Sequence, residues 1–157
     1  MANRLNIHIK HDEGKWDKRF LNLAKEIATW SKDPSTQVGA IAVKDRKVLA
    51  QGYNGFPRKM KDLEDRYNNR EEKYTYIVHA EKNVIYNATY NGVSLKDSTM
   101  YVYGLPVCSE CAKGIIQTGV KRVVMLEMVV PEKWRESFKN TKLMFDEAGV
   151  KYDSIKL

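Results

Sequence analysis

Residues 99–126 read Thr99-Met-Tyr-Val-Tyr-Gly-Leu-Pro106-Val-Cys108-Ser-Glu-Cys111-Ala-Lys-Gly-Ile-Ile-Gln-Thr-Gly119-Val-Lys-Arg-Val-Val-Met-Leu126, and this stretch decides the fold class. Thr99–Tyr103 is a short β-favouring run. Ser109–Thr118 then sets Ala112, Ile115 and Ile116 on one helical face, Gly119 closes the helix, and Val120–Leu126 is a second β run. A strand, a helix and a strand at this spacing make a right-handed crossover between parallel strands. Upstream, Trp16, Phe20, Leu23, Ile27 and Trp30 mark an amphipathic helix over residues 15–31. It stops before Asp33-Pro34, because the residue before a proline is driven out of helical geometry.

Working outward, the runs 37–43 and 48–53 flank a charged turn at 44–47 and read as a β-hairpin. Residues 80–90, stopped by Asn91-Gly92, form a further helix. Another is opened by Pro131 and closed by Gly149, with Trp134, Phe138, Thr141, Phe145 and Ala148 on one face. That spacing accounts for Trp134 as core or subunit-interface packing. Residues 57–73 mix both signs of charge with little apolar content, so a long exposed loop or lid is expected there. The whole is one α/β domain over residues 1–157, a mixed sheet with helices on both faces.

The chain of 157 residues is 43% hydrophobic and 30% charged, which suits one globular domain and excludes disorder. Its 27 Lys and Arg against 20 Asp and Glu give a net charge of +7, but acids and bases interleave and only Arg58, Lys59 and Lys61 cluster. A solvated mixed-charge surface explains most of this balance, with a nucleotide phosphate or an acidic polymer as the alternatives. No apolar run reaches membrane-span length and the first residues lack the apolar core of a secretory signal, so a cytoplasmic location is expected, in the host if the protein is viral.

The two cysteines, Cys108 and Cys111, stand in a single Cys-x-x-Cys spacing, which alone reads as a redox dithiol or half of a metal site. His79-Ala80-Glu81, at the start of another helix, changes the reading. One imidazole and two thiolates at helix N-termini can converge on a tetrahedral Zn²⁺ and leave its fourth position to water, the pattern of a catalytic site. His8 and His11 lie in a polar segment that reads as solvent-exposed. Two thiolates nearly neutralise the metal and leave its water less acidic than three imidazoles would. A nearby general base is therefore needed, and Glu81, in the first helical turn, fits that role.

His-x-Glu followed by Pro-Cys-x-x-Cys is the known signature of zinc deaminases, with the Glu outside the metal shell. The segments 30–40 (WSKDPSTQVGA), 52–57 (GYNGFP), 73–81 (KYTYIVHAE) and 108–117 (CSECAKGIIQ) extend the match, in family order, over most of residues 16–150. The sequence resembles the deoxycytidylate (dCMP) deaminases of the bacterial and bacteriophage kind, within the zinc-dependent cytidine and deoxycytidylate deaminase family. The resemblance implies a cytidine-deaminase-like three-layer α/β/α sandwich with a five-stranded mixed sheet. It implies hydrolysis of dCMP to dUMP and ammonia, feeding dTMP synthesis. His79, Cys108 and Cys111 would hold zinc while Glu81 moves protons, protonating N3 as activated water attacks C4 of cytosine and the amine leaves.

By the same resemblance the Ala80 N–H would face the base carbonyl and Asn54 would meet the sugar 3′-hydroxyl. On charge grounds the Ser31-Lys32-Asp33 turn and the Arg58 cluster are the candidates for the phosphate, and helix-start N–H groups can serve as well. The family also implies an allosteric nucleotide site in the Gly52-Tyr53-Asn54-Gly55 segment, here with Arg58 and Lys59. There dCTP activates and dTTP inhibits, with Mg²⁺ on the triphosphate, in a homohexamer. Two departures stand out: Lys59 where glycine is usual, and Val107 between the proline and the first cysteine. A nucleic-acid polymer as substrate, tRNA adenosine or single-stranded DNA, would need a basic groove with stacking aromatics. Tyr67, Tyr74 and Tyr76 are the one suggestive cluster and acids surround them, so neither a polymer nor a membrane is the expected partner. A catalytically dead zinc domain is disfavoured by the intact Glu81.

Overall fold

The protein is described by a computed structural model covering residues 2–157, with side chains from residue 14 onward, so His8 and His11 lie outside the described side chains. Five strands form one sheet: β1 (Gly39–Lys44), β2 (Lys47–Tyr53), β3 (Thr99–Tyr103), β4 (Arg122–Leu126) and β5 (Lys151–Ile155). Their order is β2-β1-β3-β4-β5, with β1 antiparallel to both of its neighbours and β3, β4 and β5 parallel. The hairpin turns through Asp45 and Arg46, both at positive φ (51° and 61°), as a two-residue turn matched to strand twist demands.

Period-two alternation gives the sheet two buried faces. Ile41 and Val43 of β1, Tyr101 of β3 and Val124 of β4 meet Phe20, Leu21, Ala24 and Ile27 of α1 (Ala2–Ala28). The intervening residues Ala40, Ala42, Met100, Val102, Val123 and Met125 face the other way. They pack under α4 (Ala80–Tyr90), α5 (Ser109–Gln117) and α6 (Arg135–Ala148). This is the expected three-layer sandwich, with the crossover β3-α5-β4 at its centre. The first helix ends at Ala28, and Thr29, Trp30 and Ser31 close it with tighter bonds back to Glu26, Ile27 and Ala28.

Three sequence expectations change. Residues 57–63 are a loop, as expected, but the expectation fails beyond them: α2 (Glu64–Asn68) and α3 (Arg70–Tyr76) fold there. Asn69 caps α3 by accepting the Glu72 N–H, and Tyr67 is buried with its ring stacked on Phe56 at 4.2 Å. One aromatic anchor suffices to dock a segment whose other residues are mostly polar. The last helix starts at Arg135, preceded by a 3₁₀ turn at Glu132–Trp134, so Trp134 stands off the helical face read from its spacing. The edge strand β5, of sequence KYDSI, carries little apolar signal and so has no counterpart among the elements expected from residue patterning.

Candidate active site

Two helix N-termini build the floor of a cavity. His79 is the N-cap of α4 and Cys108 the N-cap of α5, both with extended backbone. The β2 strand presses against the start of α4 so closely that a Cβ on Gly52 would come within 2.6 Å of the Ala80 carbonyl oxygen and the Val84 nitrogen. Only glycine allows that approach. The cysteine loop is held from α6: the Thr141 hydroxyl donates to the Val107 carbonyl at 2.9 Å, and the Ser109 N–H donates to Ser137 Oγ at 2.8 Å. The extra residue Val107 is wholly buried, which is how the loop accommodates it while the two thiols keep their spacing.

His79 Nδ1 lies 3.3 Å from Cys108 Sγ and 3.4 Å from Cys111 Sγ, and the three ligand atoms all fall within 4.8 Å of one another. Tetrahedral zinc with ordinary Zn–N and Zn–S bonds would separate N and S by about 3.6 Å, so this donor set fits the ion. The two sulfurs share one hydrogen bond. It pulls the Cys108 thiol well below its usual range, helped by His79 and by the Cys111 N–H donating to its sulfur at 3.4 Å. The same contact pushes Cys111 up. A divalent cation removes that opposition, because both sulfurs then bind as thiolates.

Glu81 is 4% exposed and outside this ligand cluster. Burial raises its carboxyl, against the lowering influence of His79. A carboxyl raised from its ordinary value is a stronger base and still a ready acid, which suits a proton shuttle. His79 is itself raised, chiefly by its bond to Cys108. Ala80, wholly buried, is the first residue of α4, so its N–H has no acceptor within the helix and lines the same cavity.

The cavity continues past Val38 and Asn54 to Asp33, Lys73, Tyr74, Lys133 and Trp134. Asn54 is committed to the protein: its Oδ1 accepts the Val38 N–H at 2.9 Å and its Nδ2 donates to the Thr36 carbonyl at 2.8 Å and to Asp33 at 3.4 Å. What remains to it is an acceptor lone pair on Oδ1. Lys32 is not brought to the cavity; it is exposed and paired with Asp62 at 2.9 Å. Of the residues proposed for nucleotide regulation, Gly52 is enclosed by α4, while Gly55 pairs with Val78 and a Cβ on it would only touch the Tyr67 hydroxyl and the Tyr53 ring at 3.9 and 4.0 Å. Tyr53 is edge-on to Trp30 at 6.2 Å. Arg58 bonds Asn87 and covers the Tyr90 ring at 4.6 Å. Lys59 adopts φ 69°, the left-handed conformation that explains why glycine is usual there.

Sequence reasoning missed Lys73, Lys133 and Trp134 as cavity residues. Trp134 stands edge-on to His79 with ring centroids 6.3 Å apart. Lys73 pairs with Asp33 at 2.7 Å, both nearly buried, and this contact ties α3 to the loop that follows α1. An invisible long-range pairing of Lys73 with a residue forty positions earlier has no local signal.

A five-stranded sandwich with a His/Cys/Cys cluster at two helix N-termini and a buried glutamate beside it defines a zinc-dependent deaminase fold. The sequence pattern of the cytidine and deoxycytidylate deaminase zinc-binding region matches residues 14–127, and the chain belongs to that family. An uncharacterized deaminase of Aliivibrio fischeri is 39% identical over 87% of this chain and 90% of its own length. A deoxycytidylate deaminase of Pongo abelii is 38% identical over 91% of this chain and 81% of its own. Among solved structures, the dCMP deaminase of cyanophage S-TIM5 in complex with dCMP and dUMP superposes with a TM-score of 0.70 at 24% identity. It covers 88% of this chain and 95% of that one, and the likeness supports the fold. Among the described residues no helix is long and apolar enough to cross a membrane.

Proposed function

We propose that this protein hydrolyses dCMP to dUMP and ammonia at the His79/Cys108/Cys111 centre. The observation that carries the reading is the buried Glu81 beside three convergent metal ligands in one cavity, joined to relatives of 38% identity that bear the name deoxycytidylate deaminase. Zinc, when bound by these three side chains, supplies the Lewis acidity that makes water a nucleophile near neutral pH.

The chain's own groups do the rest. Glu81 accepts the proton of the attacking water and passes it to N3 of cytosine as C4 becomes tetrahedral. It then moves the second proton to the exocyclic nitrogen, so the C4–N bond breaks and ammonia leaves. Overall one water is consumed, the amine is replaced by a carbonyl oxygen, and no redox partner is required. The Ala80 N–H is suited to the base carbonyl. Asn54, with an Oδ1 lone pair to spare, can accept from the sugar 3′-hydroxyl and cannot donate to it without losing Thr36 or Asp33.

Regulation extends the proposal: dCTP and dTTP, with Mg²⁺ on the triphosphate, bind along Gly52, Tyr53, Gly55, Arg58 and Lys59 of a homohexamer. The cationic Arg58, over the Tyr90 ring at 4.6 Å, and its sequence neighbour Lys59 are what support a triphosphate at this surface. The test is ammonia release from dCMP, deoxycytidine and a cytosine-containing single-stranded oligonucleotide, with and without dCTP or dTTP. Turnover preferring dCMP, raised by dCTP and lowered by dTTP, is expected; turnover of the oligonucleotide alone would replace dCMP with a polymer substrate.

A further inference from the structure

We propose that Ser137 and Thr141, one turn apart on α6, are positioning residues that aim the Cys108 thiolate at the metal by gripping the peptide units on either side of it. This rests on the His79/Cys108/Cys111 centre proposed above. The hydroxyl of Thr141, a wholly buried residue, donates to the Val107 carbonyl at 2.9 Å, and that carbonyl belongs to the peptide preceding Cys108. Ser137 Oγ accepts the Ser109 N–H at 2.8 Å, and that N–H belongs to the peptide following it. The φ and ψ of Cys108, −76° and 163°, are the rotations between these two planar units, so one face of one helix fixes both.

What remains free is the rotation of the thiol about Cα–Cβ. The Cys111 N–H donates to Cys108 Sγ at 3.4 Å, and His79 Nδ1 stands 3.3 Å from the same sulfur, so the thiol enters the cluster already aimed. The residue between Pro106 and Cys108 makes such a grip necessary. Every added residue brings two soft dihedrals to a loop, and Val107 brings them next to a ligand. Its buried carbonyl also needs a donor, which Thr141 supplies.

The needs of α6 itself do not account for these hydroxyls. A serine or threonine within a helix commonly returns its hydroxyl to the carbonyl one turn back. Thr141 Oγ1 does lie 3.1 Å from the Ser137 carbonyl, but its shorter contact is to Val107. Ser137 turns to α5 altogether, donating to Ser109 Oγ at 3.1 Å while it accepts from the Ser109 N–H. As the first residue of α5, Ser109 has no acceptor for that N–H within its own helix. Packing alone would favour apolar side chains here, as at Phe138, Met144 and Phe145 of the same helix.

The grip acts on a ligand's direction and not on the ligand itself, so its loss should be graded. Zinc affinity, measured by competition with a chromophoric chelator, and the absorption spectrum of the cobalt-substituted protein test it without turnover. Thr141→Val, nearly the same shape, should raise the zinc Kd about ten- to hundredfold, the usual cost of removing a group that orients a metal ligand, and shift the cobalt–thiolate charge-transfer band. Ser137→Ala should move both readouts the same way by less, and Thr141→Ser, which keeps the hydroxyl, should restore the wild-type values. Val124→Ala opens a cavity on the opposite face of the sheet, against α1, and should lower Tm while leaving both readouts alone. If Thr141→Val does not fold, Ser137→Ala, at a half-buried position, carries the test. Wild-type zinc affinity and cobalt spectrum in Thr141→Val and Ser137→Ala overturn the positioning role and leave the metal centre standing. Thr141→Ser as impaired as Thr141→Val, or Val124→Ala weakening zinc as much, overturns it too. Wild type that binds neither zinc nor cobalt overturns the metal centre and the grip together.

Discussion

The floor and the rim of the cavity are built by opposite means. The floor uses two helix N-termini pinned to the sheet: α4 by its contact with Gly52, and α5 by Thr141 and Ser137 reaching across from α6. Cys108, Cys111 and Glu81 are buried and His79 half-buried, held by packing and by those hydrogen bonds. The rim uses two short helices, α2 and α3, held by the Phe56 ring against Tyr67 and Tyr76, by the Asp33–Lys73 pair, and by single hydrogen bonds of Lys73 to Ser35 and Lys133 to Tyr74. Rigid support keeps the reacting groups in register, while a rim of few contacts is the part free to yield when substrate enters.

Substitutions at the floor should therefore abolish function with little graded effect, and those at the rim should act by degrees. The largest effect is expected from Cys111→Ala: metal content falls to background and turnover is lost, as elemental analysis and an ammonia assay would record. Full metal occupancy in that variant would break the ligand assignment. Glu81→Gln keeps zinc and lowers kcat by about 10²–10⁴-fold, the contribution of a positioned general acid–base group.

At the rim, Asp33→Asn should cost about 2 kcal/mol, because Lys73 is left nearly buried opposite a neutral partner. A thermal melt reads this loss. Burial would raise the Asp33 carboxyl, but hydrogen bonds from Lys73 and Ser35 outweigh it and the net shift is downward. A carboxylate lowered in the folded state stabilises above its unfolded pKa, and that stability is lost as pH falls through the folded value. The gap in Tm between wild type and Asp33→Asn should thus be full at neutral pH and close in acid, below the ordinary carboxylate range. A gap independent of pH would mean that the ion pair is not its source. The smallest effect belongs to Phe56→Ala, which removes the stack under Tyr67 at a cost of about 1 kcal/mol. Amide exchange should quicken in residues 63–76 and stay unchanged in α4 and α5; equal quickening in both would merge floor and rim into one unit.

The same division governs what could be read from the residues. The crossover was legible because Ile115, Val123 and Val124 repeat at the periods of a buried helix and a buried strand. The metal cluster was legible because its ligands sit at fixed offsets from helix starts, where local sequence carries the signal. The rim was not, since Tyr67 is one buried aromatic among charges and Lys73 finds Asp33 only after the chain has folded. Trp134 packs against the core as its spacing implies, but the helix begins one residue later and the indole also stands edge-on to His79, a second role the spacing does not show. Lys59 shows the reverse, a departure in sequence whose meaning is a single left-handed turn.

If three side chains hold the metal while Glu81 alone moves the protons, zinc content and ammonia release from dCMP must part company in Glu81→Gln. Measured side by side, wild type and Glu81→Gln should each hold about one zinc per chain, the count for a His/Cys/Cys site, with turnover in the wild type only. Wild-type rates from Glu81→Gln, or a zinc-loaded wild type that releases no ammonia from dCMP, would contradict it.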